Sequence, residues 1–329
     1  MAIHREGDLE RKSVPLYGRT SLAAEDEETG HYVFMLEQDI ADGLIPIGGR
    51  IRRTRQPCIR LVSGEQEAPR ELAASIANAI SSSDRGSLAP AVAQWVRQTA
   101  ASMTVYGSAM YEIAYYRRDG ALVGFIVLHL DPRVIRRRRG EFIQEIPPGT
   151  RIPGETLADE PREIPERERP LDASSLLIVD WPPNYGRGPD VVRELMWLGR
   201  MQHPKFLIPR SEGSQVPYDF DRFREAQDQA LAASTRILGW NGRGSFERGQ
   251  TGYYYLVRHL RFEEFKIILR DHIIDHLNEA LERAGNCVGF KARVLLQGLP
   301  TLADIAEAKE LLGAAKMTPK ELVDRFSIY

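Results

Sequence analysis

The chain has 329 residues, 43% hydrophobic and 27% charged, enough to bury a substantial core in one extended subunit or two domains. Its 44 Lys and Arg nearly balance 46 Asp and Glu, leaving a formal charge of -2, so bulk charge does not announce a nucleic-acid or membrane binder. Cys58 and Cys287 lie far apart and match no metal-ligand spacing, which reads as reduced thiols. The opening MAIHREGDLERKS lacks the apolar centre of a signal peptide, and no run approaches the ~18 apolar residues of a membrane span. The expectation is a protein made and used in solution.

Residues 1–30 are polar, with an acidic stretch at 24–30, and read as an N-terminal arm. Residues 31–40 predict a short helix, and LIPI at 44–47 a strand between glycine breaks. Residues 50–61 carry five arginines (50, 52, 53, 55 and 60) among apolar residues and read as a strand. Either an exposed strand face or a phosphate-contacting patch fits them. Residues 69–80 predict a helix, because Leu72, Ile76 and Ile80 recur on one face. Residues 88–105 predict a second, with its stripe at Val92, Trp95, Val96, Ala100 and Met103.

Residues 108–117 and 122–130 predict two strands joined at Asp119-Gly120, a pair suited to a turn that needs positive φ. The second strand is almost continuously apolar, so both its faces should be covered. The run RVIRRRRGEFIQEI suggests a basic turn before a strand at 141–146. Residues 147–170, rich in Pro, Glu and Arg, read as a long surface loop. A short buried strand follows at 174–181, then a helix from Asp190. Residues 205–209 read as a strand, 219–238 as a helix, 239–250 as a glycine-rich loop and 251–260 as a strand with three tyrosines. The longest helical pattern is 261–284, striped by Phe262, Phe265, Leu269, Ile273, Leu277, Ala280 and Ala284. Two short helices finish the chain. Thr301 with Asp304, and Thr318 with Pro319 and Glu321, mark their starts by the side-chain chemistry of helix caps.

Local chemistry offers little. His272 and His276 share a helix face and could hold zinc, with Asp275 as base. No third ligand is evident, and a solvated helix face explains the same residues. The glycines at 239–249 lack the lysine and the following helix of a phosphate loop. Tyr253 to Tyr255 and Trp240 fit stacking on bases or packing in a subunit interface.

The order of pieces resembles that of the portal proteins of tailed bacteriophages, in a compact form. HYVFMLEQDIADGLIPIGGRI is similar to an early portal helix and the segment after it. VYGSAMYEIAYYRRDGALVGFIVLHLDPRVI resembles the wing-domain run, supplying Tyr106, Gly107, Ala109, Glu112, Ile113, Gly120, Leu130, Pro132 and Val134. GEFIQEIP and LDASSLLIVDWPPNYGRG resemble the next hairpin and the strand leading to the stem. LADIAEAKELLGAAKMTPKELVDRF resembles the C-terminal helices. Many portals are longer, with a larger crown.

The resemblance implies an α+β subunit: an arm (1–30), a mixed α/β wing (31–189), stem helices (190–205 and 261–285), a small strand-helix-strand clip (206–260), a channel loop (286–300) and a short helical crown (301–329). It also implies a non-enzymatic, cofactor-free homo-oligomeric ring, usually a dodecamer, at one capsid vertex of the virion, assembled in the host cytoplasm. Double-stranded DNA would pass through it, and its partners would be the major capsid protein, terminase and a head-tail adaptor, with no membrane. A conduit must not grip DNA, and near-neutral charge suits sliding contact. Lys205, Arg210, Lys266, Arg270 and Lys291 are the candidates for the DNA path. The competing expectations are a zinc-dependent hydrolase built on His272 and His276, and a nucleic-acid binder using arginines 50–60 and 133–139.

Overall fold

The computed structural model describes residues 8–14, 31–45, 58–81, 86–148, 150–152, 162–163, 167–202, 220–242 and 252–326. In chain order the strands are β1 (Asp8–Glu10), β2 (Cys58–Ser63), β3 (Gln66–Glu67), β4 (Ser108–Arg118), β5 (Ala121–Leu130), β6 (Ile135–Arg138), β7 (Glu141–Glu145), β8 (Arg151–Ile152), β9 (Arg162–Glu163), β10 (Glu168–Leu171), β11 (Leu176–Asp180) and β12 (Arg293–Gln297). The helices are α1 (His31–Leu44), α2 (Arg70–Ile80), α3 (Leu88–Tyr106), α4 (Gly188–Gln202), α5 (Phe220–Ser234), α6 (Gly252–Val288), α7 (Leu302–Gly313) and α8 (Pro319–Phe326). Helices gathered against small antiparallel sheets make the fold α+β.

The β4–β5 hairpin is its spine. Asp119 and Gly120 both take positive φ (50° and 81°), so the two-residue turn matches the twist of the strands. β4 pairs with β5 along one edge. Its other edge is shared end to end by β11 on Ser108 to Glu112 and by β1 on Tyr115 to Arg117. Helices α2 and α6 pack on β5. Phe125 and Val127 are buried, whereas Ile126 and Leu128 stay half-exposed, so the cover expected on both faces of β5 is complete on one only. A second sheet, β10-β7-β6, encloses a small cluster of Leu130, Ile135, Leu171 and Leu176. A third is β12-β2-β3, and β8 pairs with β9.

The helical expectations at 69–80 and 88–105 hold, and α1 runs one turn further than expected, to Leu44. Trp95, Val96, Ala100 and Met103 of α3 face the main core with Leu36 and Ile40 of α1 and Ile76 of α2. Helix α4 packs on α1, α3 and α5, and Leu231, Leu238 and Trp240 of the α5 region belong to this same core. The helix expected in a small clip is therefore part of the main body.

Several segments differ from expectation. Residues 252–260 are not a strand: they form the first turns of α6, which has 37 residues and reaches about 55 Å at 1.5 Å per residue. Three tyrosines favour a strand locally. Leu256 and Leu260, however, extend the helical stripe to Ile267, and together they bury against Ile305 and Ala308 of α7 and Leu322 and Phe326 of α8. Tertiary burial outweighs the weaker local preference. The α6 stripe itself, from Phe262 to Ala284, is buried inside its own chain, with Trp181 and Tyr185 against Phe265, so it is not left for a neighbour's helix.

The expected channel loop is also built in. Residues 286–288 complete α6, and β12 pairs with β2 from Arg293↔Val62 to Gln297↔Cys58. Asn278 of α6 clamps this strand, accepting from Val294 N–H at 2.7 Å and donating to Val294 O at 3.2 Å. The segment read as a loop at 147–170 contains β8, β9 and β10, and the arm contributes β1. The basic run is a strand, β6, with Arg139-Gly140 as its turn. Of LIPI, expected as a strand, Leu44 instead ends α1 and Ile45 follows it, both buried. Residues 46–47, the arginines at 50, 52, 53 and 55, the strand expected at 205–209 and the glycine-rich loop beyond Gly242 lie outside the described residues.

Candidate functional site

Of the five basic residues expected on a DNA path, Lys266 and Arg270 are turned into the body of the chain. Lys266 is buried, its Nζ 2.7 Å from Glu263 and 4.9 Å from the centre of the Phe262 ring. A buried ammonium needs such a partner, because desolvation disfavours an isolated charge. Arg270 is buried too, 2.8 Å from Asp271 and donating to Pro300 O at 3.0 Å. Helical stepping places both beside the apolar stripe, which explains why their sequence position looks exposed and their side chains are not. Lys291, just before β12, is exposed. Lys205 and Arg210 lie outside the described residues.

His272 and His276 stand edge to face, with ring centroids 4.7 Å apart. Each is engaged: His272 Nε2 lies 2.9 Å from Asp180 O, and His276 Nδ1 lies 3.0 Å from Glu279. Among the described residues no group of three His, Cys, Asp or Glu side chains could hold a metal. The pair thus has one more neighbour than sequence suggested, a strand carbonyl, and that neighbour orients a ring rather than supplying a ligand.

The arginines of β6 alternate across the strand, as its period of two requires. Arg136 and Arg138 meet Glu145 at 3.6 and 3.3 Å, and Arg138 reaches Glu168 at 2.7 Å. Arg137 lies over Phe142, 5.7 Å from the ring centre. Arg133 forks onto Asp131 at 2.9 to 3.2 Å. The pairs of Arg136 and Arg138 face solvent and contribute little to stability. They do offset the positive field that the sequence run suggests.

The most specific polar construction is one the sequence did not single out. Glu112, in the middle of β4, is buried among apolar residues. Its carboxylate accepts from Lys12 N–H at 2.6 Å, from Ser13 N–H at 3.1 Å and from the Ser13 hydroxyl. Gln144 of β7, equally buried, accepts from Val14 N–H at 2.7 Å and donates to Val14 O at 2.9 Å. Glu10 forks onto Arg117 at 2.6 and 3.2 Å, which holds the Glu10 carboxyl below its ordinary pKa. Residues 8–14 are thereby stitched onto β4 and β7. The sequence signal was available: one carboxylate in the apolar run SAMYEIAYY, which a strand interior tolerates only when its oxygens are satisfied.

Beside this contact lies a cleft of about 760 Å³ lined by Glu10, Lys12, Glu112, Tyr115, Arg283 and Cys287. Burial, then a hydrogen bond with the Cys287 thiol, pushes the Tyr115 hydroxyl pKa upward. Arg283 is spent on Leu176 O at 2.8 Å and on Glu279. Three of the cleft's charged groups are thus engaged elsewhere: Glu10 by Arg117, Glu112 by the Lys12–Ser13 segment, and Arg283 by Leu176 O and Glu279.

The fold and these sites define an α+β protein whose most elaborate polar contacts bind its own chain. No protein-family model matches the chain, and no curated protein matches it. No helix among the described residues is long and apolar enough to cross a membrane.

Proposed function

We propose that the chain is a portal-type subunit: copies join around an axis into a ring, usually a dodecamer in such assemblies, through which double-stranded DNA passes. On this reading the ring sits at one capsid vertex, held by the major capsid protein, and terminase and a head-tail adaptor dock on it. The order of elements supports it. Helix α3, the β4–β5 hairpin, the β6–β7 hairpin, β11, α4, α5, the long α6 and the two capped terminal helices follow the succession the resemblance implies.

The observation that carries the proposal is the placement of exposed aromatics on α4, assigned to the stem, and on the first turns of α6, in the segment the resemblance assigns to the clip. Trp197 of α4 is 58% exposed and Tyr253 of α6 is 68% exposed, with Tyr254 and Val257 beside the latter on the same helical turns. Large aromatic side chains left in water are the residues that subunit interfaces favour. A head-to-tail ring uses two different surfaces of each copy, so separate patches fit it better than one self-complementary face. The stem stripe does not serve this role, since the chain's own core covers it. Of the five candidates for the DNA path, Lys291 is the one among the described residues that keeps an exposed side chain, which fits sliding contact better than a grip.

The test is native mass spectrometry and negative-stain imaging of the purified chain. Rings with a central hole and a mass that is a multiple of 37.2 kDa are expected. A particle that stays at one chain mass over a wide concentration range would overturn the proposal.

A further inference from the structure

We propose that the groove formed by Glu112, Gln144 and the edge of β4 is a strand-acceptor site, and that in the assembled protein it receives residues 8–14 of a neighbouring copy of this chain. The inference rests on the ring reading for the presence of a neighbour. The acceptor chemistry itself stands on the described contacts.

The groove recognises a peptide, not its own chain in particular. Two backbone N–H groups and one serine hydroxyl satisfy Glu112. Both polar atoms of Gln144 are used on the backbone of Val14. Arg169 of β10 adds a long contact, 3.5 Å, to Lys12 O, and Val14 supplies the apolar anchor, 2% exposed. Strand β1 extends the sheet along three register pairs, Asp8↔Arg117, Leu9↔Tyr116 and Glu10↔Tyr115. This is strand addition to a sheet edge, in which main-chain bonds give affinity and side-chain pockets give register.

Every acceptor lies about a hundred residues or more from the arm in sequence. The two ends of the connection are anchored on different parts of the fold: the arm on β4, β7 and β10, and α1 on α3, α4 and α6. The intervening residues 15–30 can span up to about 55 Å when extended. Contacts made in cis and in trans are identical, so exchange costs no bond and is decided by geometry alone. In a ring the adjacent groove is held at high effective concentration. An exchanged arm would link each copy to the next and keep the β4 edge from Tyr115 to Arg117 paired.

The test uses full-length chains in which Cys58 and Cys287 are serine. Leu9→Cys in one chain and Tyr116→Cys in another, co-expressed, report on cross-strand partners, and a chain carrying both reports on cis pairing. Interchain disulfides on a non-reducing gel, with a ladder from the double variant, are the expected result. Rings containing only intrachain bonds overturn the exchange and leave the ring reading intact. A particle of one chain mass removes the ring reading and the exchange together. If the cysteine variants do not fold, a chain lacking residues 1–14 is titrated with a labelled DLERKSV peptide. Saturable binding, weakened at least about tenfold by Glu112→Ala, is expected, and absence of binding overturns the acceptor site.

Discussion

Gly43 of α1 lies directly over the Lys266 side chain of α6: a Cβ at Gly43 would fall 2.5 Å from Lys266 Cδ and 2.7 Å from its Nζ. Helix α1 has a notch at this point, and the lysine fills it while reaching Glu263 at 2.7 Å. The ammonium is therefore enclosed between two helices and unavailable to a ligand passing outside. Lys266→Ala should destabilise the chain by about 3 kcal/mol, because Glu263 is left buried without its partner. Lys266→Met combined with Glu263→Leu should cost much less. Urea unfolding of the three proteins decides it: equal midpoints for Lys266→Ala and the native chain would mean the lysine is not enclosed.

Gly239 ends the turn after α5 with φ of +81°, and a Cβ there would lie 2.5 Å from Arg258 O and 2.8 Å from Phe262 N. Arg258, itself buried, ties this turn to α6 by bonds to Ala232 O, Thr235 Oγ1, Trp240 O and Asn241 Oδ1 between 2.6 and 3.0 Å. Gly239→Ala combines a disfavoured backbone with a main-chain clash and should lower stability by about 2 kcal/mol or more. Thermal unfolding measures the loss. An unchanged Tm would show that the turn and α6 are not in contact.

Two histidines make stability depend on pH near neutrality. Burial lowers the pKa of His259 and of His129, and each has a buried Nε2 without a hydrogen-bond partner among the described residues. With the folded pKa below the ordinary ~6.5, the unfolded chain binds more protons between the two values, so stability rises with pH there. The contribution is complete above ~6.5 and is lost as pH falls through the lowered folded value. Denaturation midpoints should fall as pH drops from about 7.5 to about 5. His259→Gln should flatten part of that fall. A variant profile parallel to the native one at every pH would contradict this.

The terminal helices are held by reciprocal caps. Thr301 accepts from Asp304 N–H at 3.3 Å while Asp304 accepts from Thr301 N–H at 2.8 Å, and Thr318 and Glu321 repeat the arrangement at 3.2 and 2.8 Å. Thr301→Ala or Thr318→Ala should each cost about 1 kcal/mol. Hydrogen exchange should quicken in α7 and α8 and stay unchanged in α3. The Asp304 carboxyl is held below its ordinary pKa, chiefly by the Thr301 hydroxyl. Its stabilisation is full above the ordinary carboxylate range and disappears only as pH drops through the lowered value.

Assembly offers a separate check. Trp197→Glu and Tyr253→Glu place a charge where the ring reading puts contacts between copies. Ring yield in native mass spectra should fall for both, with Tm within about 1 °C of the native chain, since exposed positions contribute little to folding. Full ring yield in the double variant would remove these residues from the interface.

Periodicity alone located α2, α3, the β4–β5 hairpin and both terminal caps, because each depends on contacts a few residues apart: i to i+4 burial, a positive-φ turn pair, a threonine three residues before a carboxylate. It also identified the α6 stripe from Phe262 to Ala284, but not its first turns, where Leu256 and Leu260 were read as part of a strand. What it could not decide was where that stripe goes. Phe265 meets Trp181 and Tyr185, and Ile273, Leu277 and Ala284 enter the shared core, so a surface suited to a neighbour is occupied within the chain. The same holds for charge. The resemblance made Lys266 and Arg270 candidates for the DNA path, and only the packing of α1 and the approach of Pro300 O turned them inward. Glu112 is the converse case: its position in an apolar strand was visible, but its partners sit a hundred residues away on the arm. Local pattern determined which segments form elements. Burial between distant segments decided which faces, charges and carboxylates remained available.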